Sequence, residues 1–268
     1  MHPNREKQAV AERVTLLTGA SSGIGAELAR IFAANRHRVV LVARRADLLK
    51  SVADKIMAAG GAEPIIIACD LAARDACDLI AAELAARDLE VEYVINNAGY
   101  GLFGKAAVMD RHAQLEMLDL NIRTLTDLSL RFSESLIRLR GGILNVGSIA
   151  SFLPGPGMAA YYASKAYVLS FTEALHAELS PQGVRVTALC PGPVQSGFQA
   201  RAGFKPGMDS AALAVSAADV ALAGYRGLMA GKCVVLPGTG NSIIPFLLRL
   251  VPRSLVRSAV SRIQLRRV

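Results

Sequence analysis

The sequence predicts an α/β fold, a doubly wound parallel sheet of about seven strands in a three-layer α/β/α arrangement. Three observations predict it. Short apolar runs alternate with longer segments of helical period, as successive βαβ units require. The first of those runs leads into a glycine-rich turn that opens a helix. The 268 residues are 52% hydrophobic and 19% charged, which suits one large buried core and does not suit a disordered chain.

Strands are expected at RVTLLT (13–18), RVVLVA (38–43), PIIIA (64–68), VEYVIN (91–96), GILNVG (142–147), RVTALC (185–190) and CVVLPG (233–238). The helices between them are expected at 23–34, 46–59, 73–86, 110–138, 158–180 and 216–230. No internal repeat, low-complexity segment or linker interrupts the series, so residues 1–241 are expected to form one domain. Right-handed crossovers then put helices on both faces of the sheet.

The opening MHPNREKQAVAER lacks an apolar signal region, and no run of about 18 uncharged apolar residues occurs. Cys69, Cys77, Cys190 and Cys233 show no CxxC or metal-ligand spacing, so reduced structural thiols and no metal site are expected. These features together point to a cytoplasmic protein. The net charge of +8 is concentrated at one end. No acid follows Asp219, whereas Arg226, Lys232, Arg249, Arg253, Arg257, Arg262, Arg266 and Arg267 do, leaving the preceding chain neutral overall. A nucleic-acid partner, which needs a basic body, is not expected.

In TGASSGIGAELARIF, Gly19, Gly23 and Gly25 stand where a tight turn must let backbone approach a pyrophosphate at a helix N-terminus. Ser21 and Ser22 suit either a helix cap or a bond to phosphate oxygen. The fold is thus expected to be of the Rossmann, dinucleotide-binding type. Such folds read the adenosine ribose about 20 residues beyond the glycines, commonly with an acid. Here LVARRADLL places Arg44 and Arg45 there instead. A guanidinium matches a 2′-phosphate in charge and donor geometry, so NADP(H) is expected over NAD(H).

The stretch GSIASFLPGPGMAAYYASKA carries Ser148, Tyr161, Tyr162 and Lys165. Tyr161 and Lys165 are four apart and leave one face of a helix; Tyr162, three from the lysine, also reaches it. A nearby ammonium and the positive ring of an oxidised nicotinamide both favour phenolate and bring a tyrosine pKa down from about 10 toward neutrality. Such a phenol donates a proton to a carbonyl oxygen or accepts one from an alcohol. Ser148 is placed to hydrogen-bond the developing oxyanion.

TGASSGIG, NNAG (96–99), Asn121, Ser148, Tyr161-x-x-x-Lys165 and PGPV (191–194) stand in an order and spacing that resembles the short-chain dehydrogenase/reductase family, over about residues 13–240. The resemblance selects Tyr161 over Tyr162 as the acid/base. It implies a tetrad of Asn121, Ser148, Tyr161 and Lys165, with Asn121 supporting a water chain and Lys165 also holding the nicotinamide ribose. It further implies cofactor contacts from Gly19, Ser21, Ser22, Gly23, Ile24, Gly25, Arg44 and Arg45. Asp70 and Leu71 would lie at the adenine, Asn97, Ala98 and Gly99 along the ribose, and Pro191, Gly192, Val194 and Ser196 at the carboxamide. The activity implied is NADP(H)-dependent interconversion of a carbonyl and an alcohol by a homodimer or homotetramer. A non-catalytic NADP(H)-binding sensor or scaffold is the alternative, and retention of all four tetrad positions argues against it.

Phe152, Leu153, Pro154, Met158, Phe198, Phe204 and Met208 are expected to wall an apolar substrate site, with Arg201 and Lys205 as solvated lid charges. Residues 242–268 form a basic amphipathic extension. In it Leu255, Val256, Ala259, Val260 and Ile263 make one stripe opposite Ser254, Arg257, Ser258 and Ser261. The extension suits a lid, a subunit contact or a peripheral membrane contact. Because Pro252 breaks it and Arg262 and Arg266 interrupt its apolar face, it is expected to fold back and complete the substrate entrance.

Overall fold

The computed structural model describes residues 11–194, 215–238 and 251–265. Its strands are β1 (Glu12–Thr18), β2 (Arg38–Ala43), β3 (Ile65–Ala68), β4 (Leu89–Asn96), β5 (Gly142–Val146), β6 (Arg185–Leu189) and β7 (Val234–Val235). They pair in parallel in the order β3-β2-β1-β4-β5-β6-β7. Parallel strands with helices on both faces are buried twice over, which is why runs such as VVLVA and IIIA hardly alternate in polarity. The sheet grows outward in both directions from β1, and the reversal between β1 and β4 opens a crevice at the carboxyl ends of the strands.

The helices are α1 (Gly23–Ala34), α2 (Ala46–Ala58), α3 (Ala76–Ala86), α4 (Arg111–Leu118), α5 (Leu125–Arg131), α6 (Ser133–Leu139), α7 (Ala159–Leu179), α8 (Ala217–Met229) and α9 (Arg253–Gln264). On one face of the sheet Leu17, Val39, Leu41 and Leu144 pack with Leu28, Phe32, Leu49 and Val220 from α1, α2 and α8. On the other, Leu16, Val40, Val94 and Ile143 pack with Ile80, Leu128, Leu136 and Leu175 from α3, α5, α6 and α7. The period of two in each strand distributes its side chains between these two cores.

Two expected elements differ. The single helix expected over 110–138 is interrupted by a π-helical turn, Asp119–Thr124, and again at Phe132. A π-turn inserts an extra residue per turn and re-aims side chains, a device common at functional sites. Here it carries Asn121. The seventh strand is two residues long rather than six, because only Ala188 and Leu189 of β6 pair with it.

A buried polar network ties the carboxyl ends of β4 and β5 to the helices. Asn96 Nδ2 donates to Asn145 Oδ1 and to Ser129 Oγ, each at 2.9 Å, and Asn145 Nδ2 donates to Thr172 Oγ1 at 3.0 Å. Buried networks of this kind fix a register that apolar packing alone would leave free to slide, although Asn96 Oδ1 itself is buried with no hydrogen-bond partner among the described residues.

Candidate active site

Residues at the carboxyl ends of β1 through β6 line a cavity of about 910 Å³. At the end of β1, Gly19 and Gly23 adopt φ of +65° and +56°, which only glycine adopts without strain. Gly25 is required for space: a Cβ there would lie 2.2 Å from the Gly19 carbonyl oxygen. The loop is locked to the turn after β4. Thr18 Oγ1 accepts from the Asn97 and Ala98 amides at 3.0 and 3.1 Å, while Asn97 Nδ2 donates to the Thr18 and Gly19 carbonyls. Ser22 is the N-cap of α1, yet its side chain makes no capping bond.

Arg44 and Arg45 stand at the mouth beyond β2. Arg45 Nη2 donates to Ser21 Oγ at 3.4 Å, and Arg44 Nη1 lies 4.0 Å from Asp70 Oδ2. Asp70 Oδ1 in turn accepts from the Ala72 amide, which holds its carboxylate at the rim. Leu71, Leu48 and Cys69 supply apolar surface at the same end.

At the opposite end, α7 presents Tyr161 and Lys165 on its buried face, with 8% and 6% of their surface exposed. Lys165 Nζ donates to the Val146 carbonyl at 2.7 Å and lies 6.0 Å from the centre of the Tyr161 ring. Ser148, in extended conformation after β5, caps a short 3₁₀ turn (Ile149–Phe152) by accepting from the Ala150 amide. Ser151 donates to the Lys165 carbonyl at 2.7 Å, anchoring that turn on α7.

Burial is the dominant influence on the ionisable groups here. It raises the Tyr161 phenol above the ordinary tyrosine range, against a smaller lowering from its hydrogen bond with Ser148. It lowers the Lys165 ammonium from 10.5 to about 8. The expected descent of the Tyr161 pKa toward neutrality is therefore not produced by the chain's own residues. The cause is burial of the phenol, while the ammonium donates to the Val146 carbonyl. Cys190, buried behind them, is pushed up to about 12 by desolvation and stays a thiol.

Asn121 sits behind the wall. Its Nδ2 donates to the Tyr100 carbonyl at 2.9 Å and to Ser164 Oγ at 3.1 Å, and its Oδ1 accepts from the Tyr100 amide. Ser164 donates onward to the Tyr161 carbonyl. A Cβ on Gly99 would come within 3.0 Å of Asn121 Oδ1 and 3.5 Å of Lys165 Nζ, so glycine there keeps those groups together.

Among the expected cofactor residues, Ile24, Leu71, Asn97, Ala98, Gly99, Pro191, Gly192 and Val194 all line the cavity. Ser196, Phe198, Arg201, Phe204, Lys205 and Met208 lie outside the described residues, as do 242–250. Met158 lines the cavity as expected. Phe152 does not; it packs against Leu169, Ala188 and Cys190, because the 3₁₀ turn rotates it away from the opening. Leu153 and Pro154 are likewise absent from the lining. Sequence reasoning also missed Val146, whose backbone carbonyl holds the lysine, and Gln264, the last residue of α9.

Gln264 lines the cavity, and its Nε2 donates to Tyr162 Oη at 2.5 Å. The two adjacent phenols are thereby given different partners, Ser148 for Tyr161 and Gln264 for Tyr162. The rest of α9 is loosely attached. Of its expected apolar stripe, Val256 and Val260 are half-buried while Leu255 and Ala259 are exposed. No helix among the described residues is long and apolar enough to cross a membrane, and none of their His, Cys, Asp and Glu side chains form a metal-binding group.

The family model for short chain dehydrogenase matches residues 13–205. A sulfoacetaldehyde reductase of Chromohalobacter salexigens is 37% identical over 186 residues, covering 68% of this chain and 72% of that one. A short chain dehydrogenase of Pseudocercospora fijiensis is 33% identical over 199 residues, 72% of this chain but 63% of its own length. Among solved structures, a short-chain dehydrogenase from Sphingobium yanoikuyae in complex with NADPH superposes with a TM-score of 0.77. It is 30% identical, with 85% of this chain and 88% of that one covered. With the family model spanning most of the chain, and with the glycine loop and the serine–tyrosine–lysine group meeting at one cavity, this protein belongs to the short-chain dehydrogenase family.

Proposed function

We propose that this chain is an NADP(H)-dependent oxidoreductase that interconverts a carbonyl compound and its alcohol, with Tyr161 as general acid and base. One observation carries the reading. Ser148, Tyr161 and Lys165 line one end of a cavity whose other end is framed by a glycine loop and two arginines. The glycine cradle fits a dinucleotide: Gly19 and Gly25 leave no room for a Cβ, and Gly99 keeps its flank narrow. Gly19, Ser21, Ser22, Gly23 and Ile24 would hold the pyrophosphate, Asn97 to Gly99 the ribose, and Pro191, Gly192 and Val194 the nicotinamide side. Arg44 and Arg45 would bind a 2′-phosphate, a preference also supported by the NADPH in the Sphingobium relative. When bound, the nicotinamide supplies or takes up the hydride.

The chain's own residues handle the proton. Ser148 orients the substrate oxygen and stabilises negative charge on it. Tyr161, kept protonated by burial, donates to that oxygen during reduction; in the oxidation direction it first gives up its proton toward Lys165, and the resulting phenolate accepts one from the substrate hydroxyl. Lys165, at a pKa of about 8, is close enough to neutral pH to pass the proton onward and restore the phenol. Asn121 positions this group through Ser164 and the π-turn, and the side of Asn121 facing Gly99 and Lys165 supports a water chain to the lysine. The Met158 and Ile149 walls favour a substrate with apolar surface beside the carbonyl. We further read α9 as the edge of the substrate entrance, and the protein as a homodimer or homotetramer.

The test is NADPH oxidation by the purified chain across aldehydes and ketones of graded chain length, with NADH in parallel. Turnover that prefers NADPH supports the reading. Tight NADPH binding without turnover of any carbonyl would favour a sensor instead.

A further inference from the structure

The mechanism uses Tyr161 and leaves its neighbour unassigned. Tyr162 Oη accepts a hydrogen bond from Gln264 Nε2, so its own hydroxyl proton is not spent on that contact. Gln264 Oε1 is buried with no hydrogen-bond partner. Both residues line the cavity that holds Ser148 and Tyr161, and the two tyrosine rings meet edge to face with centres 6.0 Å apart. An orphaned buried amide oxygen costs free energy unless a ligand satisfies it. It stands beside a phenol with a proton to give.

We infer that Tyr162 and Gln264 form a second polar recognition point that binds a hydroxyl group of the substrate, set apart from the reacting carbonyl. A hydroxyl fits both halves: it accepts from Tyr162 and donates to Gln264 Oε1. A carboxylate does not fit, since it has no proton for the amide oxygen. The substrate class is therefore a hydroxylated ketone or aldehyde, with apolar surface suited to Met158, which lines the same cavity. This rests on the oxidoreductase reading above and adds substrate selection to it. Gln264 also ties α9 to the body, so the last turn of the tail helix becomes part of the binding site.

The experiment compares matched pairs in the presence of NADPH. Linear methyl ketones with a terminal hydroxyl are set against the same ketones with that hydroxyl replaced by hydrogen, over a range of chain lengths. The intact protein is expected to favour the hydroxylated partner about tenfold in kcat/KM at one optimal length, mainly through KM. Gln264→Leu and Tyr162→Phe are each expected to reduce that ratio severalfold. Gln264→Glu, which retains acceptor oxygens, should keep more of it than Gln264→Leu. A role of Gln264 in merely holding α9 would slow both members of a pair alike and leave the ratio unmoved. A ratio near one at every length, or one that survives Gln264→Leu and Tyr162→Phe, overturns the inference while leaving the oxidoreductase reading intact. Failure to reduce any carbonyl overturns that reading first.

Discussion

At the β2 end of the cavity the side chains of Arg44 and Asp70 are 55% and 56% exposed, whereas at the β5 end Lys165 and Tyr161 retain 6% and 8%. The same kinds of group are thus used on different terms. In contact with water, a charge is screened and selects a ligand by accumulating modest attractions. Shielded from water, a charge is costly, and the cost appears as displaced pKa values that suit proton transfer. In the function proposed, the exposed end would select the cofactor and the buried end would carry the proton transfer.

The comparison breaks most visibly at Tyr161. Tyr161→Phe removes the transferable proton and little volume, so turnover should fall by about a hundredfold to ten-thousandfold. NADPH affinity measured by fluorescence titration should stay within about twofold. A variant that retains most of its turnover would remove the phenol from the mechanism.

Lys165→Met should also abolish most activity, with an opposite effect on the fold. A buried lysine whose pKa is lowered from 10.5 to about 8 must be kept charged at neutral pH against its burial. Its depressed value therefore costs stability below about pH 8, and that cost is relieved as pH rises from about 8 toward 10.5. Removing the charge should raise the melting temperature at neutral pH by about 2–4 °C, roughly 1 kcal/mol after loss of the Val146 bond. The difference in stability between the variant and the parent should shrink as pH rises through that window. A variant less stable at pH 7 than the parent would show that the ammonium is better solvated than its surroundings suggest.

Arg44→Ala is expected to be gentler: NADPH affinity falls about tenfold and NADH affinity hardly changes, since one exposed guanidinium contact is lost. Equal losses for both cofactors would place Arg44 away from the 2′-phosphate. The smallest effect should be that of salt. Raising ionic strength from 0.05 to about 0.5 M should weaken NADPH binding severalfold and leave the pH dependence of turnover in place, because screening acts at the exposed end only.

Much of the site was legible because its requirements are local. Gly19, Gly23 and Gly25 are demanded by backbone conformation and close approach, and a one-residue code in the chain reports both. Tyr161 and Lys165 share a helix face by virtue of their spacing. The two arginines directly after β2, with the nearest acid, Asp47, already inside the next helix, are likewise visible in a short window. Other features were not legible. The π-turn at 119–124 depends on bonds between Asn121 and Tyr100, 21 residues away. Phe152 looked like a substrate wall because it is apolar and near Ser148, and the 3₁₀ turn sends it elsewhere. Gln264 is 102 residues from Tyr162 and carried no signal in the chain.

The sequence by itself determined the sheet, the glycine turn and the shared helix face of Tyr161 and Lys165, because periodicity, glycine placement and helical spacing are properties of short windows. Tertiary structure alone decided three further matters. It bonded the Lys165 ammonium to the Val146 carbonyl, it gave Tyr161 and Tyr162 separate partners, and it brought the end of α9 to the cavity. The physical reason is common to all three. Burial, and the choice between competing hydrogen-bond partners, depend on which distant segments displace water from a group, and no local pattern of residues records that.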